Sequence, residues 1–108
     1  MNFKVATEFY KRPLGRNRNQ GTYTGEAFRE DHLVPLLKRL SPGEKLSLDF
    51  TGVTMNGSSF LEEAFGGLIR NHNYSRQDLE TLLEFSFPRR PSLEQKVWQY
   101  ISDAQKDN

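Results

Sequence analysis

Two adjacent hydroxyls, Ser58 and Ser59, follow Asn56-Gly57 and precede an apolar run at helical spacing: Phe60, Leu61, Ala64, Phe65, Leu68 and Ile69. A loop entering a helix amino terminus points unpaired backbone amides outward. A phosphate carried on Ser58 would therefore stand in a favourable field and would change what docks there. The same residues also fit a structural role. Ser59 reads as an N-cap completed by Glu62 in a capping box, with Ser58 a polar loop residue and Asn56-Gly57 a tight turn. The cap is the preferred reading of Ser59; both readings of Ser58 stay open on these grounds.

Arg12, Arg16 and Arg18, with Lys11 beside them and Tyr10 and Tyr23 available for stacking, form a second candidate. Guanidinium groups suit the phosphates of a nucleotide or a nucleic acid, or an acidic partner surface. The alternative is a solvated basic loop. Nucleic acid is the less favoured ligand, because 15 basic and 14 acidic residues leave a net charge of only +1. Glu62 and Glu63 are sequence neighbours, so on a helix they point about 100° apart and cannot face each other as an acid and base pair. Asp49 could point toward the sheet end near the Ser58 loop, but a lone carboxylate is more often solvated or bonded to a turn, and that reading is preferred. His32 and His72 lie at no metal-ligand spacing, and no cysteine is present to act as ligand or nucleophile. No enzyme, cofactor or metal is expected from these residue types; a binding role is.

The elements that must position these groups follow from periodicity. The chain has 108 residues, 35% hydrophobic and 27% charged, with a mean hydropathy of −0.75. One small domain with a thin core is expected over residues 1–108. Nothing approaches the roughly 20 apolar residues of a membrane helix, and the first residues lack the apolar core of a signal peptide, so a cytoplasmic chain is expected. Met1–Thr7 alternates Phe3 and Val5 with polar residues as a strand does. Residues 10–23, rich in arginine, glycine and asparagine, read as a basic surface loop or loose hairpin. Five of the first 20 residues are basic and one is acidic, so the positive charge is local and the rest of the chain is net −3.

Thr24 caps a predicted helix whose apolar face is Phe28, Leu33, Leu36, Leu37 and Leu40, with Glu26 placed for the helix dipole. Pro35 predicts a kink or restart near His32–Pro35. Lys45–Phe50 alternates as a strand. The helix over Ser59–Ile69 follows, with Gly66-Gly67 inside it allowing close approach to the sheet. A short helix opens at Ser75 with Asp78 three residues on. Glu84–Pro88 reads as a brief strand, and a last helix starts at Ser92 with Gln95 and buries Leu93, Val97, Tyr100, Ile101 and Ala104. Trp98 flanks that face and is expected to pack on the core. Residues 105–108 should fray. Alternation of strands and helices requires crossover connections, which gives an α/β fold with a mostly parallel or mixed sheet of about four strands.

Four pieces in order carry a resemblance: Thr24-Gly25-Glu26-Ala27-Phe28-Arg29-Glu30, Leu33-Val34-Pro35, Leu48-Asp49-Phe50-Thr51-Gly52-Val53, and Ser58-Ser59-Phe60-Leu61-Glu62-Glu63-Ala64-Phe65-Gly66-Gly67-Leu68. Over roughly residues 3–71 the chain resembles the bacterial STAS-like domain family of unknown function. That family is similar to the STAS domains of sulphate transporters and anti-sigma factor antagonists, and so implies a small STAS-like α/β sandwich. In the antagonists the first serine after a loop acid is phosphorylated by a partner kinase of the histidine-kinase-like ATPase fold. Ser58 matches that serine, Ser59 the second hydroxyl and Leu61 the leucine; Gly57 stands at the acid and Phe60 at the glycine. The resemblance therefore implies a regulatory protein-interaction module without a cofactor of its own. Its phosphoacceptor candidates are Ser58 and Ser59. Its contact surface is Asn56, Gly57, Phe60, Glu63 and Thr24, with the loop around Arg16–Thr24 beside them.

Overall fold

The first strand stops earlier than the period-two pattern of residues 1–7 predicts. In the computed structural model, which describes residues 1–54 and 58–106, β1 spans Asn2–Lys4 and the chain turns at once into the single helical turn α1, Val5–Glu8. The cause is local. The Glu8 carboxylate accepts the Lys4 amide at 2.7 Å, and the amides of Phe9 and Tyr10 both donate to the Val5 carbonyl. These bonds hold the turn while Val5 enters the core.

Residues 10–23 fold back on themselves as a loose hairpin. The amide of Leu14 donates to Tyr23, and those of Gly25 and Glu26 to Gly15 and Arg16. The hairpin runs along the start of the next helix and adds no strand to the sheet, which has three strands among the described residues and not about four.

Helix α2 covers residues 25–39 in three pieces: Gly25–Phe28, a wider turn over Arg29–Leu33, and Val34–Arg39. Thr24 caps it as predicted, its Oγ1 accepting the Ala27 amide at 3.3 Å. Pro35 explains the wide turn. In an unbroken α-helix its ring would clash with the carbonyl four residues back, and it has no amide to donate. Opening the preceding turn, so that the Val34 amide reaches the carbonyl of Arg29, lets the chain continue past it.

β2 is Leu46–Asp49, and α3 (residues 59–72) again has a wide turn, over Glu62–Gly66. The capping box predicted at Ser75 and Asp78 is present with both hydrogen bonds, 2.9 and 3.0 Å, and opens α4, Arg76–Leu82. β3 is Leu83–Ser86 and α5 is Ser92–Lys106. Trp98 packs half-buried against Phe85, and the Arg76 guanidinium lies 5.4 Å from its ring.

The strands are parallel in the order β1-β2-β3, with Phe3 opposite Leu48 and Leu48 opposite Phe85. Two crossovers of the same hand between strands added in sequence put their helices on the same side of the sheet. Burial agrees: Phe3, Leu46, Leu48 and Leu83 are buried with Phe28, Leu33, Leu61, Phe65, Val97 and Ile101 in one core. Asn2, Lys4, Ser47, Asp49, Glu84 and Ser86 occupy the opposite face and are polar. The fold is a two-layer α/β sandwich. Among the described residues no helix is long and apolar enough to cross a membrane.

Candidate functional site

Three parallel strands deliver their carboxyl ends, and the loops after them, to one edge of the sheet. Ligand and partner sites of open α/β sheets are found there. Ser58 stands at that edge as the residue before α3. It is exposed, and no side chain caps the helix through it. Asn56 and Gly57 lie outside the described residues.

Ser59 is already the first helical residue and is not the cap. The predicted Ser59 and Glu62 capping box is absent because the Glu62 carboxylate is taken by stronger donors. Arg70 donates to it at 2.7 and 3.2 Å, and Arg16 Nη1 bonds its Oε1. Two guanidinium groups outcompete one neutral backbone amide for a carboxylate.

That contact belongs to a network joining α2, α3 and the hairpin. The Arg29 side chain, 4% exposed, donates from Nη1 to the Glu63 carboxylate at 2.8 Å and to the Glu63 carbonyl, and from Nε to Glu30 at 2.7 Å. Glu30 in turn meets His72 Nε2 at 2.7 Å. Arg16 and Arg70 also stand 3.6 and 3.7 Å from Glu63. Burial pushes the Glu30 and Glu62 carboxyls up, but hydrogen bonds from His72 and Arg29 at Glu30, and from Arg70 and Arg16 at Glu62, hold both below the usual carboxylate range.

The sign of the pH dependence follows. A carboxyl whose folded pKa is depressed contributes stability that is complete above its unfolded value of about 4.3 and is lost as pH falls through the folded one. The urea midpoint should therefore drop between roughly pH 5 and 3. Glu62→Gln should be less stable than the parent at neutral pH and should lose less on acidification. Parallel pH curves for the two proteins would contradict this.

Of the other sequence candidates, Thr24 and Phe60 are buried and Glu63 keeps only 12% of its side chain exposed. The structure thus moves these three from the expected contact surface to the packing beneath it. Phe60 meets Phe9 and Phe28, and Thr24 is the cap of α2. Arg18 forks onto Asp31 at 2.8 and 3.1 Å, its amide donates to Glu26, and Arg16 is engaged as above. Arg12 alone of the three makes no ion pair with a described residue. The hairpin is tied down by its arginines, while Tyr10 and Tyr23 stack 3.8 Å apart on its exposed side. Asp49 accepts the Thr51 amide and hydroxyl, a turn bond as expected.

Arg29, Arg70, Glu30 and His72 were not singled out as a group by sequence reasoning. Two signals bear on them. Arg29 stands four residues before Leu33 on the side of α2 that also carries the core residues, and Gly67 breaks an apolar helix. A Cβ at Gly67 would collide with the Arg29 guanidinium, and one at Gly25 would lie 2.6 Å from the Phe60 carbonyl oxygen. Gly67 therefore permits approach of α2, not of the sheet.

A family model described as a STAS-like domain of unknown function matches residues 24–86, more than half of the chain. That span runs from the cap of α2 to the end of β3 and contains every residue of the network except Arg16. No curated protein and no solved structure matches the chain significantly.

Proposed function

This chain belongs to the family of STAS-like domains of unknown function, and from that premise we propose that it is a non-enzymatic regulatory module working by protein-protein contact, with Ser58 as the group a partner modifies. The observation supporting this best is the position of Ser58, exposed at the uncapped start of α3. A phosphate there adds nearly two negative charges one turn before Glu62. Arg16, 39% exposed and bridging Glu62 and Glu63, is the cation such a phosphate would draw on. Phosphorylation would then weaken the tie between hairpin and helix and alter the surface that Ser58, Ser59 and residues 16–23 offer a partner. The modifying partner implied by the STAS resemblance is an ATPase of the histidine-kinase-like fold, to which the ATP belongs. The alternative reading, a small anion, nucleotide or nucleic-acid module built on Arg12, Arg16 and Arg18, has less support, because two of those three already hold carboxylates.

Incubation with such a kinase from the same genome and labelled ATP tests the reading. One phosphate should enter the parent and Ser59→Ala, and none should enter Ser58→Ala. Full labelling of Ser58→Ala would remove Ser58 as acceptor.

A further inference from the structure

A cleft of about 270 Å³ opens at the carboxyl ends of β2 and β3, away from the Arg29 network. Phe50 and Phe87, the residues that follow those two strands, form its floor as a stacked pair with ring centroids 4.4 Å apart, and Val53 and Leu93 form its walls. Thr54, Arg89 and Arg90 complete the lining. The two arginines share with Arg12 the lack of an ion pair among the described residues, and differ in that from five others. Arg16, Arg18, Arg29, Arg70 and Arg76 are each held by a carboxylate, whereas the side chains of Arg89 and Arg90 pair with no described residue.

We propose that this cleft binds a small aromatic anion, its planar apolar body against Phe50, Phe87 and Leu93 and its carboxylate or phosphate against Arg89 and Arg90. Each part of the ligand answers an observation. An apolar wall at the carboxyl edge of a parallel sheet is where such folds place ligands. Guanidinium groups at its rim, with no carboxylate partner among the described residues, supply charge for a ligand, and they bind oxyanions in a forked geometry. The volume, just below the roughly 300–1,000 Å³ usual for ligand pockets, suits a body of one or two rings and excludes a dinucleotide. The site uses neither Ser58 nor the hairpin arginines, and it stands or falls separately from the phosphorylation reading.

Titration with 2-naphthoate, followed by amide chemical shifts of the labelled protein, tests the assignment. Saturable shifts should be confined to residues 50–54 and 87–93. The neutral analogue 2-naphthylmethanol should bind at least tenfold more weakly, and inorganic phosphate alone should not saturate the site. Replacing both exposed arginines (Arg89→Ala with Arg90→Ala) should reduce naphthoate affinity at least tenfold while the amide spectrum stays that of the folded protein. Val53→Trp, which fills the cleft, should abolish binding. Absence of saturable shifts, shifts confined to the hairpin of residues 10–23, equal binding of the neutral analogue, or unchanged affinity in the double arginine variant would each overturn the proposal.

Discussion

Arg29→Met should destabilise the protein by about 3 kcal/mol, because breaking a buried ion pair strands the remaining charge. Methionine keeps much of the aliphatic volume, so the loss would report the guanidinium. That group is 4% exposed and serves both the Glu63 carboxylate and the Glu63 carbonyl within the wide turn of α3. Arg16 and Arg70, at 3.6 and 3.7 Å from the same carboxylate, soften the loss. For a domain of this size such a change lowers the thermal midpoint by about 10 °C or more. Glu63→Gln in the Arg29→Met background removes the stranded charge and should recover a large part of the stability. Chemical unfolding of the parent, both single variants and the double variant closes the cycle. A loss under about 1 kcal/mol in Arg29→Met, the range of an exposed pair, would mean that the network is a surface feature and does not join the two helices.

The network also shows which parts of the molecule were legible before the fold was known. Local signals held where they were local. The Thr24 cap, the Ser75 and Asp78 box, the alternation of Leu46 and Leu48, and the interruption before Pro35 each depend on residues within one turn of each other. Expectations failed where a distant group won a local competition. Ser59 lost Glu62 to Arg16, 46 residues away, and Phe60 was drawn into an aromatic cluster with Phe9 and Phe28 instead of facing a partner. β1 failed for a different reason: period two over seven residues does not distinguish a strand from three strand residues followed by a turn that Glu8 caps. The candidate loop was legible as a motif. The surface beside it was not, because which of Thr24, Phe60 and Glu63 face solvent depends on how α2 meets α3.

That meeting is itself testable at Gly25, a position chosen by packing. Alanine is favoured over glycine within a helix by about 1 kcal/mol, and Gly25 has no unusual backbone angle to protect. On propensity alone Gly25→Ala should stabilise α2. The Cβ it adds would stand 2.6 Å from the Phe60 carbonyl oxygen and 2.9 Å from Glu63 Cβ, and the first of these is backbone that cannot rotate away. Overpacking costs roughly 1–3 kcal/mol, and a contact of 2.6 Å with backbone belongs at the upper end, so after the propensity gain the net loss should be about 2 kcal/mol. Gly43→Ala is the control. Its φ of +84° makes alanine strained but nothing lies within 4 Å of the added atom, so it should lose only about 1 kcal/mol and leave α3 untouched. The two variants differ more sharply in where they act. Gly25→Ala pushes on Phe60, two residues after Ser58, and should shift the amide resonances of residues 58–63, whereas Gly43→Ala should not. A neutral or stabilised Gly25→Ala with unmoved resonances would mean that the helices do not cross at van der Waals contact here. The start of α3 would then be positioned by the arginine network alone.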